Sequence, residues 1–123
     1  KWTEVVHHGS IAACYAALRA DGFTVVATAV GPRSTDLYDL DLRRPTALVF
    51  GNEMRGVSEE AQATADGLVA IPMMGMVQSL NVSVACAVCL YEALRQRRQG
   101  GAYDAPALDA RTLERLEAEW LKR

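Results

Sequence analysis

The chain has 123 residues, of which 50% are hydrophobic and 23% charged, and its formal net charge is −2. A chain of this length forms one domain and can bury about two thirds of the surface that its unfolded state exposes. The balanced charge gives no chain-wide signal for nucleic acid, so any such surface has to be local. No apolar run approaches the roughly 18 residues of a membrane span, and residues 1 to 4 do not resemble a signal peptide, so we expect a cytoplasmic protein.

The first part of the chain predicts alternating strands and helices. Residues 2 to 7 indicate a short strand, and the alanine, leucine and tyrosine of residues 11 to 20 favour a helix. Gly22 fits a left-handed helix stop. The continuous β-branched run of residues 23 to 30 is typical of a buried strand. Residues 33 to 44 are predicted to be an irregular connector.

The second part repeats the alternation. Residues 46 to 50 predict a second buried strand, after which Ser58 is expected to cap a short helix. Residues 68 to 71 predict a third strand, which Pro72 closes, and residues 81 to 98 predict a long helix. The chain therefore predicts an α/β fold with a mostly parallel sheet flanked by helices.

Ligands in such folds bind outside the carboxyl ends of the strands. The loops that follow Val30, Phe50 and Ile71 should therefore converge on one site. Residues 51 to 58 imitate the phosphate-binding pattern G-x-x-x-x-G-K-[ST], but Val57 replaces the lysine, so we reject nucleoside triphosphate binding.

The cysteines and histidines predict no metal site. Cys14, Cys86 and Cys89 are an odd number in apolar, helix-like sequence, where free cysteines are commonly buried. Cys86 and Cys89 form a C-x-x-C, but no second pair or nearby histidine completes a zinc site. The adjacent His7 and His8 have no acid or thiol at the spacing of a triad or a metal pair.

A final helix is predicted after Gly100 and Gly101, with Asp109 as its cap. Its apolar stripe contains Leu113, Leu116, Trp120 and Leu121. The stripe needs a partner, which is either the sheet of the same chain or a second copy. We accordingly divide the chain into a domain of residues 1 to 99 and a C-terminal extension of residues 100 to 123.

Two long motifs resemble those of a known family. Residues 48 to 58 (LVFGNEMRGVS) and residues 71 to 85 (IPMMGMVQSLNVSVA) resemble the second and third motifs of the SpoU, or TrmH-type, branch of the SPOUT RNA 2′-O-ribose methyltransferases. They stand in the expected order and separation. Residues 101 to 106 and the following helix resemble the tail of the members that act on tRNA guanosine, so the resemblance covers nearly the whole chain.

The resemblance implies a C-terminal trefoil knot, a rare exception to the rule against threaded connections. It also implies that S-adenosylmethionine is the cofactor and is held bent in the knot. Carried over by position, the cofactor-binding residues are Thr28, Gly51, Ile71, Met73, Met76 and Leu80. A methyl donor without phosphate suits apolar walls and backbone hydrogen bonds, which agrees with the composition of these loops.

By the same resemblance, Ser79, Asn81 and Glu53 match positions of the active site. The hydroxyl of Ser79 and the amide of Asn81 could orient the ribose or the donor for an in-line methyl transfer. Alternatively, Asn81 only caps its helix, and Ser79 only forms hydrogen bonds within its loop. A loop carboxylate such as Glu53 could equally well bond backbone N–H groups.

The family's first motif, which carries an arginine thought to activate the 2′-hydroxyl, has no copy in this sequence. By the resemblance it would precede Lys1, so we expect an N-terminally truncated enzyme with reduced or no turnover. Arg55 stands at a different motif position, and we interpret it as a loop or RNA contact.

The predicted function is thus transfer of a methyl group to a guanosine 2′-hydroxyl in tRNA, without a metal, by a homodimer. The alternatives are a ribosomal-RNA ribose methyltransferase and a non-catalytic RNA-binding or dimerisation module with a vestigial pocket. The candidate RNA contacts are Arg43, Arg44, Arg95, Arg97, Arg98, Arg111, Arg115, Lys122 and Arg123. The interspersed glutamates favour a solvated face equally well.

Overall fold

The computed structural model describes residues 3 to 76 and 79 to 122. Its helices and strands are α1 (Ile11–Ala20), β1 (Thr24–Thr28), β2 (Thr35–Asp36), a 3-10 helix (Leu37–Asp39), β3 (Thr46–Val49), α2 (Glu59–Thr64), β4 (Gly67–Ala70), α3 (Val82–Gln99) and α4 (Ala110–Leu121). The predicted α/β fold with a parallel sheet is confirmed.

The sheet has the order β2-β4-β1-β3, and all three strand pairs are parallel. β1 lies inside the sheet, and its residues Val25, Val26 and Ala27 are at most 3% exposed. β3 lies at the edge and is only half-buried along its length. The prediction of a buried strand therefore overestimated the burial of β3, because an apolar run does not distinguish an edge strand from a central one.

Successive residues of β1 face opposite sides of the sheet, which creates two apolar clusters. Val25 and Ala27 pack on the side of α1 and α2, against Tyr15 and Ala61. Val26 packs on the other side. There it joins the buried residues Leu37, Leu42, Val69 and Cys89. Burial raises the pKa of the Cys89 thiol to about 11, so this cysteine is an inert core residue.

The prediction of an irregular connector at residues 33 to 44 was wrong. This segment contains β2 and the 3-10 helix, and Leu37 and Leu42 are at most 1% exposed. Helix α3 holds it through Gln96, whose amide donates to the Leu40 carbonyl at 2.9 Å. The same amide accepts from the Leu42 N–H at 2.8 Å. Such distant partners leave no periodic pattern in the local sequence.

The strand predicted at residues 2 to 7 is absent from its described part. Residues 4 to 8 have no regular structure, and Val5 and Val6 are 55% and 63% exposed. A strand requires a neighbour for its backbone hydrogen bonds, and none of the described strands pairs with this segment. Residue 2 of the prediction lies outside the described residues.

The helix ends predicted at Gly22 and Ser58 are confirmed, and Ser10 adds a cap that the sequence had not indicated. The Ser10 hydroxyl accepts from the Ala13 N–H at 3.1 Å, and Gly22 after α1 has a φ of +85°. The Ser58 hydroxyl caps α2 by accepting from the Ala61 N–H. No helix among the described residues has the length and apolar character needed to cross a bilayer.

Asp66 joins α1 to the sheet and provides a stability test. One carboxylate oxygen accepts from the Val25 N–H at 2.7 Å, and the other pairs with Arg19 at 2.9 Å. These bonds, that of Val25 first, hold the pKa of Asp66 below its ordinary value of 3.8. We expect Asp66→Asn to lower the free energy of unfolding at pH 7 by about 1 kcal/mol, a value reduced for the partial exposure of the pair.

The pH dependence checks this assignment. Because folding lowers the pKa of Asp66, its contribution is present above the ordinary value and is lost as the pH falls below it. The difference between Asp66→Asn and the unmodified chain should therefore shrink below about pH 4 in urea titrations. Asp39→Asn is the control, since Asp39 makes no side-chain hydrogen bond within the described structure. A pH-independent difference would contradict the prediction.

Candidate functional site

The three predicted loops do converge, at the carboxyl edge of the sheet. They enclose a cavity of about 590 Å³ that is lined by residues that follow β1, β3 and β4 and by the first turn of α3. Val30, Phe50 and Ile71, the three positions named from the sequence, all line it. A parallel sheet produces this convergence because its strands all end at one edge.

The loop after β3 closes on itself through hydrogen bonds made by Asn52, and we call residues 51 to 56 the ring. The side-chain carbonyl of Asn52 accepts from the N–H groups of Met54 and Arg55 at 3.0 and 2.7 Å. The Gly56 N–H donates to the Asn52 carbonyl at 2.9 Å, with Gly56 at a φ of +64°. A Cβ atom on Gly51 would lie 1.8 Å from the Gly56 carbonyl carbon. Only glycine at position 51 permits this backbone approach.

Asn81 connects this ring to helix α3. Its side-chain oxygen accepts from the Ser83 N–H at 2.9 Å, which caps the helix. Its amide nitrogen donates to a carboxylate oxygen of Glu53 at 3.1 Å. The capping alternative is therefore present in the structure, and it leaves the amide nitrogen available for a second contact. Glu53 bonds this side chain, and no bond from a backbone N–H to its carboxylate is found in the described structure.

The cavity lining includes most of the predicted site residues. These are Thr28, Gly51, Glu53, Ile71, Met73, Ser79, Leu80 and Asn81. Met76 is fully exposed and does not line the cavity. The Thr28 hydroxyl donates to the Val49 carbonyl at 3.0 Å, which ties β1 to β3 at the cavity floor. The functional roles of all these residues stay predictions.

Several lining residues were missed by the sequence analysis. They include Ala29, Gln62, Val82 and Ala85. Gln62 reaches the site from α2, where its amide donates to the Val57 carbonyl at 2.9 Å. Ala85 could have been found, because it lies four residues after Asn81 on the same helix face. Gln62 carried no such signal, since its position depends on how α2 packs.

Four of the candidate RNA contacts are engaged within the chain. Arg43 pairs with Asp41, Arg95 with the buried Glu92, and Arg115 with Glu119, while Arg97 donates to the carbonyls of Leu42 and Arg44. The Arg95 guanidinium, with Gln96, lowers the pKa of Glu92 to about 2. Arg44, Arg98, Arg111 and Lys122 make no side-chain hydrogen bond or ion pair within the described structure. Arg123 lies outside the described residues.

The apolar stripe of α4 is only partly covered. Leu113 and Leu116 are half-buried, whereas Trp120 and Leu121 are 39% and 88% exposed. Helix α4 begins after its cap Asp109, whose carboxylate accepts from the Thr112 N–H at 2.9 Å, as predicted. The exposed end of the stripe leaves both predicted partners, the same chain and a second copy, open.

A parallel α/β sheet with a largely uncharged cavity at its carboxyl edge defines a protein that binds a small, partly apolar molecule. Residues 1–91 match the SpoU rRNA Methylase family. This match covers more than half of the chain, which therefore belongs to that family, as the resemblance of the two motifs had indicated.

Named relatives agree with this assignment. The chain is 49% identical over 123 residues to the tRNA (guanosine(18)-2′-O)-methyltransferase of Thermus thermophilus, covering all of this chain and 63% of the relative. It is 45% identical over 102 residues to the enzyme of the same name from Escherichia coli, covering 83% of this chain and 44% of the relative. The chain thus spans about half to two thirds of the length of these relatives.

Solved structures share the fold. The Aquifex aeolicus TrmH/SpoU tRNA modifying enzyme superposes with a TM-score of 0.82 at 40% identity, covering 90% of this chain and 56% of that one. The SpoU methyltransferase AviRb from Streptomyces viridochromogenes, solved in complex with AdoMet, superposes with a TM-score of 0.65 at 37% identity. That superposition covers 76% of this chain and 37% of AviRb.

The two contacts of Asn81 can be separated by substitution. We expect Asn81→Ala to lower the free energy of unfolding by about 1 kcal/mol, because the N-cap of α3 is lost. Asn81→Ser should change the free energy of unfolding by less than about 0.5 kcal/mol, because serine caps a helix about as well as asparagine. Serine cannot, however, replace the amide that reaches Glu53. Equal destabilisation by both variants in urea titrations would show that the bond to Glu53, and not the cap, stabilises the helix.

Proposed function

We propose that this chain is the donor-binding and C-terminal portion of an S-adenosylmethionine-dependent tRNA ribose 2′-O-methyltransferase that acts on a guanosine in the cytoplasm and needs no metal. The observation that carries the proposal is the Glu53–Asn81 contact, which joins the two family motifs across one cavity. The names of the relatives from Thermus and Escherichia support the tRNA substrate, and the AviRb complex supports the donor.

The cavity suits such a donor in size and chemistry. Its volume falls within the roughly 300 to 1,000 Å³ of small-molecule sites. Ile71, Met73 and Leu80 supply apolar walls, and Gly51 allows the loop backbone to close against Gly56 at the cavity. We propose these four residues and Thr28 as the cofactor-binding set. Met76 belongs to the proposed set by its motif position, although its side chain is fully exposed and does not line the cavity.

We propose that Ser79 and Asn81 orient the reacting groups. When bound, S-adenosylmethionine would supply the methyl group on its sulfonium sulfur. Positioning contributes much of the rate of such in-line transfers. The Glu53 carboxylate accepts a hydrogen bond from the Asn81 amide nitrogen at 3.1 Å, and this bond orients the Asn81 side chain at the edge of the cavity. Ser79 lines the same edge and offers a hydroxyl that can donate or accept.

The C-terminal trefoil knot, the N-terminal truncation and the division at residue 99 belong to the same proposal. The family match to residues 1–91 and the 0.82 TM-score with the Aquifex enzyme support the knot and the main domain. The 63% coverage of the Thermus relative supports a longer parent protein. Gly101, at a φ of +73° between α3 and α4, supports the division.

We also propose a homodimer. Helix α3 exposes the apolar side chains Val84, Tyr91 and Leu94, at 48%, 73% and 37%. With the exposed Ala87 they recur at the spacing of a helix–helix seam. The exposed Leu121 on α4 adds apolar surface that a second copy would cover.

Calorimetry tests the proposed donor site directly. We expect the chain to bind S-adenosylhomocysteine, the demethylated product, and to transfer methyl groups from radioactive S-adenosylmethionine to tRNA slowly or not at all. Ser79→Ala should leave the fold intact, because the Ser79 side chain makes no hydrogen bond within the described structure. Binding of neither nucleoside would contradict the donor site, and rapid turnover would contradict the importance of the absent first motif.

The same assay separates the alternatives. Labelling of ribosomal RNA in preference to tRNA would assign the chain to the ribosomal branch. RNA affinity without donor binding, and unchanged in Ser79→Ala, would assign it to a non-catalytic RNA-binding or dimerisation module.

A further inference from the structure

The described lining of the cavity carries one cation, and that side chain has no hydrogen-bond or ion-pair partner in the described structure. Glu53 and Arg55 are the charged residues in its described lining. Glu53 is engaged by the amide of Asn81, whereas the Arg55 side chain makes no ion pair or hydrogen bond within the described structure. A guanidinium presents a planar fork of donors and stays protonated at any physiological pH. The cavity therefore offers a guanidinium that can bind an oxyanion through two N–H groups.

Hydrogen bonds hold the backbone that carries this guanidinium. The Arg55 N–H donates to the Asn52 side chain at 2.7 Å, and the adjacent Gly56 closes the ring through the Asn52 carbonyl. The arginine thus projects from a tight ring at the cavity mouth. A charged group held by a rigid backbone loses less conformational entropy when it binds than one on a mobile segment.

We propose that Arg55 binds the carboxylate of the amino-acid end of the methyl donor. This inference rests on the proposed function and adds a specificity contact to it. The donor has one carboxylate, and the described lining has one unpaired cation. Apart from Glu53, which accepts from the Asn81 amide, the rest of the described lining is apolar or neutral and suits the nucleoside. A carboxylate accepts two parallel N–H bonds from a guanidinium, which is a strong and directional arrangement.

An RNA phosphate would also bind a guanidinium, so the experiment must distinguish the two oxyanions. The structure favours the carboxylate, because Arg55 lines the same cavity as Gly51 and Met73, which we propose as part of the donor site. A phosphodiester of a bulky RNA would more readily meet arginines outside the cavity, such as Arg98 or Arg111, which are exposed.

The test compares two ligands that differ in the amino-acid end, which carries the carboxylate. S-Adenosylhomocysteine has the amino-acid end, and 5′-methylthioadenosine has the same nucleoside and a thioether but no amino acid. Their affinities are measured by calorimetry for the unmodified chain and for Arg55→Gln, Arg55→Lys and Arg33→Gln. Arg33→Gln is the matched control, since Arg33 is exposed, unpaired within the described structure and outside the cavity lining. Filter binding of tRNA is measured on the same four proteins.

We expect Arg55→Gln to weaken S-adenosylhomocysteine binding about tenfold and methylthioadenosine binding less than about twofold. Arg55→Lys should recover part of the loss, because lysine keeps the charge without the fork. Arg33→Gln should change neither affinity. For the unmodified chain, added salt should weaken only the binding of the carboxylated ligand.

Several results would overturn the inference while leaving the proposed function in place. These are equal weakening of both nucleosides in Arg55→Gln, no weakening of either, and a loss confined to tRNA affinity, which would assign Arg55 to the RNA backbone. If the unmodified chain binds neither nucleoside, the proposed function and this inference fail together.

Discussion

Gly51→Ala is expected to abolish binding of the donor and its product and to lower the free energy of unfolding by about 3 kcal/mol or more. The added Cβ would lie 1.8 Å from the carbonyl carbon of Gly56 and 2.2 Å from the Val57 nitrogen. These neighbours are backbone atoms of a ring closed by Asn52, so they cannot move aside as a flexible side chain could. The ring must open, and the cavity wall that it forms would be lost.

Two other glycines serve as graded controls. Gly56→Ala meets no atom within 4 Å but imposes a φ of +64° on alanine, so it should cost about 1 kcal/mol. Gly31→Ala has neither a clash nor a positive φ and should be nearly neutral. Calorimetry and urea titration of the three variants would establish the order. Donor binding by Gly51→Ala equal to that by Gly31→Ala would show that the ring does not form the site.

Leu37→Ala is expected to lower the free energy of unfolding by about 2 to 5 kcal/mol. Leu37 is fully buried in the cluster formed by Val26, Leu42, Val69 and Cys89. Its truncation leaves a cavity between the sheet and α3, which the surrounding side chains can only partly fill. A domain of this size has a total stability of roughly 5 to 15 kcal/mol, so the loss would be large.

Leu108→Ala is the control for this measurement, because Leu108 is 47% exposed and lies outside the helices and strands. It should change the free energy of unfolding by less than about 0.5 kcal/mol. If Leu37→Ala does not fold, Leu37→Met should still fold, since it preserves most of the volume and costs less than about 1.5 kcal/mol. Equal effects at positions 37 and 108 would contradict the core assignment of the connector.

The location of the site was predictable because its signals are local. Strand runs that end at Val30, Phe50 and Ile71, followed by glycine-containing loops, place three loops at one edge of any parallel sheet. The two motifs added the family, since their residues stand in a fixed order and spacing. Neither argument gives distances, so the hydrogen bond between Asn81 and Glu53, 28 residues apart, became visible only in the structure.

The mispredicted segments share a physical cause. Val5 and Val6 have a strand-like composition, but no described strand supplies partners for their backbone, and they stay exposed. Residues 33 to 44 lack periodicity, yet Gln96 of α3 bonds their backbone, and Leu37 and Leu42 are buried in the cluster of Val26, Val69 and Cys89. In both cases the decisive interactions are distant in sequence and do not depend on local propensity.

The sequence by itself determined the α/β class, the helix caps at Ser58, Asn81 and Asp109, and the edge of the sheet at which the predicted loops converge. Each of these depends on residues within one or two turns of one another. Only the tertiary structure decided that β3 is an edge strand, that Met76 lies outside the cavity lining, and that Arg55 is the cation of the described lining. Those properties depend on which distant groups meet across the fold, and local sequence does not encode such encounters.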